Sequence, residues 1–99
     1  MNNLDNPQRP FRVLIRDRRQ ELHLGQAQVA EALRLVPESV GQWERGNRRI
    51  ELDKVPRLAR VLKLDPKDLC QTAIYEFHPL VYMTVFGSEP PPQPAEVAA

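Results

Sequence analysis

The chain places apolar residues three and four positions apart over most of its length, with polar residues between them. This spacing is typical of amphipathic helices, and no stretch shows the strict alternation of a half-buried strand. The pattern therefore predicts an all-α fold. The expected helices span approximately residues 10–22, 26–34, 37–45, 53–62, 65–77 and 80–86.

Prolines, glycines and acidic residues stand where several of these helices are expected to begin or end. Pro10 and Pro37 suit the first turn of a helix, where the missing N–H costs no hydrogen bond. Asp53 and Asp65 are expected to cap the fourth and fifth helices through their carboxylates. Gly46 follows the third helix at the position where a left-handed residue commonly ends one. Residues at or next to their ends therefore predict where these helices begin or stop.

The start of the third helix is open between two positions. If Pro37 is its first residue, the preceding Val36 has no side-chain oxygen to accept a hydrogen bond from the free N–H groups. Ser39 and Gln42 offer a capping box that would start the helix later. Gly41 lies inside the helix in either case and costs about 1 kcal/mol relative to alanine.

The two ends of the chain differ from the part between them. Residues 1–9 are polar and lack periodicity, which predicts a flexible arm, and residues 88–99 contain four prolines and little apolar surface, which predicts a disordered tail. One folded domain at 10–87 remains. Charge is also uneven: residues 9–60 carry 12 Lys/Arg against 7 Asp/Glu, a net of +5, and residues 61–99 carry 2 against 5, a net of −3. The basic part is suited to a polyanionic partner.

The composition argues against several other kinds of protein. The single cysteine, Cys70, permits no intrachain disulfide, and its expected role is that of a small buried hydrophobe. His23 and His78 are far apart, and no metal-ligand spacing, phosphate-cradling glycine loop or nucleophile elbow occurs. No stretch resembles a signal peptide or approaches the roughly 18 apolar residues of a membrane span. We therefore expect a soluble cytoplasmic protein that is not an enzyme, with no cofactor, metal, small-molecule ligand or membrane contact.

The second and third helices are short and are separated by a tight break. Val29, Ala30 and Leu33 share one face of the second helix, and Val40 and Trp43 share a face of the third. Two short helices that bury facing stripes at a steep angle form a helix-turn-helix. At such a position Trp43 is expected to belong to the core rather than to stack in a nucleic-acid groove.

Residues 11–70 resemble the Cro/repressor-type helix-turn-helix family, also called the lambda-repressor-like or xenobiotic-response-element family. The resemblance implies a five-helix bundle that contains the helix-turn-helix, to which this chain adds a short C-terminal helical extension. The residues that carry the resemblance are Leu24, Gln26, Val29, Ala30, Leu33, Val40, Trp43, Glu44, Arg45, Gly46, Leu58, Ala59, Leu62 and Leu69.

The resemblance also implies that the third helix enters the major groove of DNA while the second crosses the DNA backbone. Gln26 resembles a glutamine that holds a phosphate together with the helix end. Gln42 is suited to adenine and Glu38 to the amino group of cytosine, although Glu38 could instead only complement the helix dipole. The implied DNA contacts are Gln26, Pro37, Glu38, Ser39, Gln42, Arg45, Asn47, Arg48 and Arg49.

Two further expectations come from the resemblance. Arg19 and Glu44 match a pair that in this family forms a buried ion pair between the first and third helices. His23 and Arg34 stand where the family commonly has glycine. Either position could therefore require a positive φ, an uncommon state for a non-glycine residue.

The implied function is that of a sequence-specific regulator of transcription that binds double-stranded DNA, in particular a repressor. One helix-turn-helix covers only a half-site, and such proteins usually bind as dimers. Residues 70–87 are the candidate homodimer surface, and packing of this segment on its own chain is the alternative. A second hypothesis is a protein-interaction adaptor or antitoxin-like module, in which Glu38 and Gly41 weaken the reading of bases.

Overall fold

The computed structural model describes residues 9–97, which form six α-helices. Within these residues the only strand-like feature is an isolated backbone pairing of Leu64 with Glu96. The all-α prediction is confirmed. The helices are α1 (Phe11–Glu21), α2 (Gln26–Ala32), α3 (Pro37–Arg45), α4 (Val55–Val61), α5 (Pro66–Phe77) and α6 (Pro79–Phe86), with one turn of 3-10 helix at Leu52–Lys54.

The apolar stripes of α1 to α5 meet in one core. Leu58 and Leu62 of the α4 segment are almost completely enclosed, so shortening either to alanine is expected to cost about 2–5 kcal/mol. Cys70 is partly buried against this core, and burial raises the pKa of its thiol. The fully buried members of the core include Phe11, Leu14, Ile15, Val29, Ala30, Leu33, Val40, Trp43, Ile50, Val55, Leu58, Ala59, Leu62, Leu64, Leu69 and Ala73.

The helix starts follow the local sequence in two of four cases. Pro10, expected in the first turn of the first helix, instead precedes α1, which begins at Phe11. Pro37 is the first residue of α3, and Val36 precedes it in an extended conformation without a side-chain cap, so the later start at Ser39 is wrong. Asp65 caps α5 as predicted, because its Oδ1 accepts the N–H of Asp68 at 3.0 Å. Asp53 does not cap α4: it lies in the 3-10 turn, which allows the neighbouring Leu52 to pack partly against the core.

Three helices end at a non-glycine residue with a positive φ. These residues are His23 (φ 59°), Arg34 (φ 59°) and Lys63 (φ 56°), of which the first two were predicted. Each sharp turn directs the following leucine back onto the core, at a cost of roughly 1 kcal/mol for the left-handed backbone. The N–H of each leucine donates to a backbone carbonyl of the preceding helix: Leu24 to Arg19 O (3.1 Å), Leu35 to Ala30 O (2.8 Å) and Leu64 to Ala59 O (2.9 Å).

Helix α6 packs on α5 of its own chain through one buried aromatic residue. The Tyr82 ring meets Tyr75 edge to face at 4.9 Å and Phe86 at 5.0 Å between centroids. Its hydroxyl donates to Glu89 O at 2.7 Å and accepts from Gln71 Nε2 at 3.3 Å. Intrachain packing, one of the two roles expected for residues 70–87, is thus present at Tyr82.

Residues 88–97 form a C-terminal strap that runs back along the domain. Ala95 O accepts the N–H of Asp65 at 2.8 Å, and the N–H of Val97 donates to Lys63 O at 2.9 Å. Pro91 is buried. This placement differs from the disordered tail that the composition predicts, because the strap is bound by backbone groups of the α4–α5 turn rather than by an apolar face of its own.

The strap and Arg9 are both tied to α1 by charge. Glu96 Oε2 lies 3.3 Å from Arg18 Nη1, and Arg9 Nη1 lies 2.9 Å from Asp17 Oδ2. Arg9 therefore differs from the flexible arm predicted for residues 1–9, the rest of which lies outside the described residues. No helix in residues 9–97 has the length and apolar run that a bilayer crossing needs.

Candidate nucleic-acid interface

Helices α2 and α3 form a two-helix unit that is joined by a tight turn at residues 33–36. Val29 and Ala30 of α2 and Val40 and Trp43 of α3 are buried between them and the rest of the core. Trp43 has only 4% of its surface exposed, so it belongs to the core. Its inward placement leaves the opposite face of α3 to polar residues.

A polar network fixes α1, α2 and α3 relative to one another. Arg19 Nε and Nη2 donate to the Glu44 carboxylate at 2.7 and 2.9 Å, and Arg19 Nη1 donates to Leu24 O at 2.8 Å. Gln26 Nε2 adds a third bond to Glu44, at 2.9 Å to Oε1. The hydrogen bond to Glu44 raises the pKa of Arg19. The Glu44 side chain is 5% exposed, and the network satisfies a charge that would otherwise be costly to bury.

The outward face of α3 carries a polar stripe. Glu38, Gln42 and Arg45 follow one another at intervals of four and three residues, which places them on one side of the helix. Glu38 and Arg45 are exposed, and Ser39 and Gln42 are half-buried beside them. Among residues 9–97 the side chains of Glu38, Ser39 and Gln42 have no hydrogen-bond partner, so their polar groups are available to a ligand.

Gly41 forms a notch in α3 where two of the candidate residues meet. A Cβ atom at this position would lie 2.9 Å from Arg45 Nη1 and 3.4 Å from Gln26 Oε1. The guanidinium of Arg45 and the carbonyl of Gln26 are therefore neighbours above the glycine. Gly41 weakens the helix, but its missing side chain lets Gln26, at the start of α2, and Arg45, at the end of α3, lie side by side.

The turn after α3 is a basic, exposed segment. Gly46 has φ 79°, and Asn47 N donates to Gln42 O at 3.0 Å, which closes the helix. Arg48 lies 3.9 Å from a carboxylate oxygen of Glu51, a long contact between two exposed side chains. Arg49 lies over the Phe77 ring at 5.6 Å from its centroid. The turn therefore presents two guanidinium groups beside the polar stripe.

Two residues near this surface were not among the predicted contacts. Val36, treated only as the residue before the helix, is 60% exposed at the start of α3. Arg12, an exposed residue of α1, lies against Gly46: a Cβ at Gly46 would be 3.0 Å from Arg12 Cδ. Helical periodicity places both outside the core but does not report their distance from α3.

The fold and this surface together define a helix-turn-helix protein. A family model described as helix-turn-helix matches residues 15–69, more than half of the chain. The chain belongs to the Cro/C1-type helix-turn-helix family. The resemblance found in the sequence and the lambda-repressor-like helical bundle are thereby confirmed, and the family assignment makes the chain a DNA-binding regulator.

Solved structures are similar to this chain at two levels. Hydroxypropylphosphonic acid epoxidase from S. wedmorenis is 33% identical over 60% of this chain, with a TM-score of 0.53, and the match covers 31% of the enzyme. The iron(II) form of the enzyme is 31% identical over 65% of this chain and 34% of its own, with a TM-score of 0.54. The chain thus spans about a third of these enzymes, and the likeness does not extend to the whole enzyme.

The second level is a similarity of fold. The clp gene regulator ClgR from Corynebacterium glutamicum is 17% identical to this chain, with a TM-score of 0.58 over 82% of this chain and 95% of its own. This likeness concerns the fold alone, and it includes nearly the whole of the regulator. No curated protein sequence matches the chain.

Proposed function

We propose that this protein reads a specific sequence of double-stranded DNA with the exposed face of α3 and regulates transcription there, acting as a repressor. The observation that carries the proposal is the polar stripe of Glu38, Gln42 and Arg45, whose first two members have no partner among residues 9–97 and which ends at a basic turn. Repression follows from occupancy, since a bound protein excludes other proteins from its site. We propose a cytoplasmic location for it.

The stripe contains side chains suited to different bases. The amide of Gln42 can donate to and accept from the edge of adenine, and the Glu38 carboxylate can accept from the amino group of cytosine. Ser39 can donate or accept beside them. Val36, exposed where α3 begins, is suited to an apolar contact with a thymine methyl group. Pro37 shares this exposed beginning of the helix and contributes shape rather than hydrogen bonds.

Other side chains are suited to the phosphates. Arg45 and the three residues of the turn, Asn47, Arg48 and Arg49, are exposed around the end of α3. Gln26 has its amide nitrogen held by Glu44, so the amide is fixed beside the guanidinium of Arg45. We assign Arg19 and Glu44 the structural role of keeping α3 in place, with no contact to DNA.

Selection of binding sites from a random duplex library tests the proposal. We expect a narrow set of enriched sequences, with Gln42→Ala losing about 1–3 kcal/mol of discrimination at one base position. Gln20→Ala is the matched control, because Gln20 is an exposed glutamine of α1. The repressor role is tested with a reporter gene placed behind the selected site. A library with no enrichment contradicts base reading.

We further propose that two copies of the chain associate through residues 70–87. Helix α6 has no charged residue, and four of its apolar side chains are more than half exposed: Leu80, Val81, Met83 and Val85. A helix that is apolar on all sides is normally buried. A second copy supplies the same apolar patch across a twofold axis, and it supplies the second α3 that a palindromic site needs.

Sedimentation of the full chain at micromolar concentration tests the dimer. We expect a dimer for the wild type and a monomer for Val85→Asp, because a charge at the centre of an apolar interface has no partner. Circular dichroism of the variant checks that its helices are intact. A wild-type chain that sediments as a monomer overturns the dimer while leaving single-site DNA binding untouched.

A protein-interaction adaptor is the second candidate function. The observation that favours it is the 31–33% identity to part of an epoxidase, a protein whose name refers to an enzymatic reaction and not to DNA. Glu38 supports the same view, because a carboxylate on the outer face of α3 repels phosphates. The two functions differ in salt dependence, since each phosphate neutralised contributes about −0.9 to the slope of log affinity against log salt. Weak binding to every duplex, unchanged by salt, favours the adaptor.

A further inference from the structure

Among residues 9–97, Arg12 differs from the other three arginines of α1. Arg16 lies 3.2 Å from Asp17, Arg18 lies 3.2 Å from Glu21, and Arg19 is bonded to Glu44. Arg12 forms no ion pair or side-chain hydrogen bond with any described residue, and it is exposed. The four arginines share one helix, but within residues 9–97 only the guanidinium of Arg12 among them has no carboxylate or hydrogen-bond partner.

The side chain of Arg12 is directed to the end of α3 by a glycine. A Cβ atom at Gly46 would lie 3.0 Å from Arg12 Cδ and 3.4 Å from its Nε. The absent side chain therefore makes room for the Arg12 stem, in addition to permitting the left-handed φ of 79° that ends the helix. The aliphatic part of the Arg12 side chain packs against the backbone of Gly46, and Arg12 as a whole remains exposed.

Arg12 thus adds a positive charge to a turn that already carries Arg48 and Arg49. Of the two carboxylates that flank the turn in sequence, Glu44 is bonded to Arg19 and Gln26. Glu51 is bonded to Lys54 at 2.9 Å and is only a long contact of Arg48. Three arginines from two separate segments therefore surround the end of α3 with little compensation by acidic groups.

We propose that Arg12 binds a DNA phosphate next to the one held by the turn after α3, so that α1 takes part in the DNA interface. This inference rests on the proposed DNA-binding function and extends it to a residue outside the helix-turn-helix. A guanidinium suits the task, because its forked donors match the oxygens of a phosphate. Its seat on Gly46 reduces the conformational entropy that the contact must overcome.

The salt dependence of binding to a random-sequence duplex tests the proposal, because the phosphate component of affinity is independent of sequence. The full-length protein is compared with Arg12→Gln and Arg12→Lys. We expect Arg12→Gln to reduce the magnitude of the slope of log affinity against log salt by about 0.9, the contribution of one phosphate. Arg12→Lys keeps the charge and is expected to keep the slope.

Arg60→Gln is the matched control. Arg60 is also exposed and has no ion pair among the described residues. It lies at the α4–α5 turn, where Lys63 N donates to its carbonyl at 3.2 Å. That turn contacts the other end of α1, since Arg18 Nε donates to Leu62 O at 2.8 Å. We expect the slope of this variant to equal that of the wild type.

Arg12 could instead only stabilise the negative end of the α3 dipole. In that case Arg12→Gln lowers the free energy of unfolding and leaves the salt slope unchanged, and this result overturns the proposal. A wild-type protein whose affinity for duplex DNA does not depend on salt rejects the DNA-binding function itself. The two failures are therefore distinguished by the behaviour of the wild type.

Discussion

The carboxylate of Glu76 caps a helix 65 residues away: its Oε1 accepts the N–H of Phe11 at 2.7 Å. Pro10, the residue before α1, has no side-chain donor or acceptor, so α1 receives its cap from α5. The acidic group also lies at the positive end of the α1 dipole. The contact joins the first and fifth helices next to the edge-to-face pair of Phe11 and Phe77, whose centroids are 5.6 Å apart.

Replacement of Glu76 is expected to destabilise the domain. Glu76→Ala removes both the cap and the favourable charge, which together are worth about 1 kcal/mol. Glu76→Gln keeps an acceptor oxygen and is expected to lose less. Urea unfolding measures the change. An equal loss from Glu31→Ala, which replaces an exposed glutamate of α2, would show that the effect comes from charge or helix propensity rather than from the cap.

The network around Glu44 predicts an unequal response to substitution. Arg19→Ala leaves a buried carboxylate with one remaining partner, Gln26, and is expected to cost about 3 kcal/mol. Lys54→Ala breaks an ion pair with Glu51, but that pair is largely exposed, so the expected loss is below about 1 kcal/mol. Denaturant titrations of both variants check the difference. Losses of similar size would mean that the network does not stabilise the junction of three helices.

Gly41→Ala is expected to change stability and DNA binding in opposite directions. The helix gains up to about 1 kcal/mol, while the new methyl group displaces the Arg45 guanidinium, 2.9 Å away. Affinity for the selected duplex should fall. Measuring the same change in an Arg45→Ala background isolates the cause, because the loss should then disappear. A loss that persists there would place the effect elsewhere in α3.

His23→Gly is expected to stabilise the protein. His23 is exposed and has φ 59°, and glycine adopts this conformation without the steric cost that other residues bear. The expected gain is at most about 0.5 kcal/mol after the higher entropy of the unfolded glycine chain is subtracted. Glu31→Gly, inside α2, is the control and should lose about 1 kcal/mol. Thermal unfolding compares the two, and a loss from His23→Gly would contradict the interpretation.

Tyr82→Phe tests the link between α6 and the C-terminal strap. The variant leaves Glu89 O and Gln71 Nε2 without the hydroxyl that both contact, at a cost of about 1 kcal/mol. Hydrogen exchange should rise at Asp65 and Val97, whose N–H groups pair with the strap or the turn. Tyr75→Phe removes a hydroxyl with no hydrogen-bond partner among residues 9–97 and should change neither. Unchanged hydrogen exchange in Tyr82→Phe would show that the strap does not depend on its contact with α6.

The parts of the fold that the sequence predicted depend on neighbouring residues. Pro37 and Gly46 bound α3, and Asp65 caps α5, because each acts within one helical turn. The contacts that the sequence did not predict join distant backbone groups. The pairing of Leu64 with Glu96 leaves no trace in composition, since proline-rich segments of the same content also remain unfolded when no such backbone is within reach.

The candidate interface divides in the same way. Helical spacing alone puts Glu38, Gln42 and Arg45 on one side of α3. It cannot tell that Gly41 brings Arg45 to Gln26, because that contact depends on the angle between two helices. The role proposed for Arg12 depends on which arginines of α1 form ion pairs with carboxylates. Only the folded structure shows those pairs.

The contacts of the C-terminal strap also bear on the order in which parts of the molecule unfold. The strap is joined to the α4–α5 turn by backbone bonds and to α1 by the ion pair of Glu96 with the largely buried Arg18. Asp68 Oδ2 accepts the N–H of Ala95 at 3.1 Å, Pro91 is buried, and Glu89 O accepts from Tyr82. Such a segment opens at a lower free energy than a packed core does. We therefore expect the strap to be released before global unfolding. The form produced keeps its helix-turn-helix and loses the contact of the Tyr82 hydroxyl with Glu89 O, and we expect proteolysis to begin in the released strap.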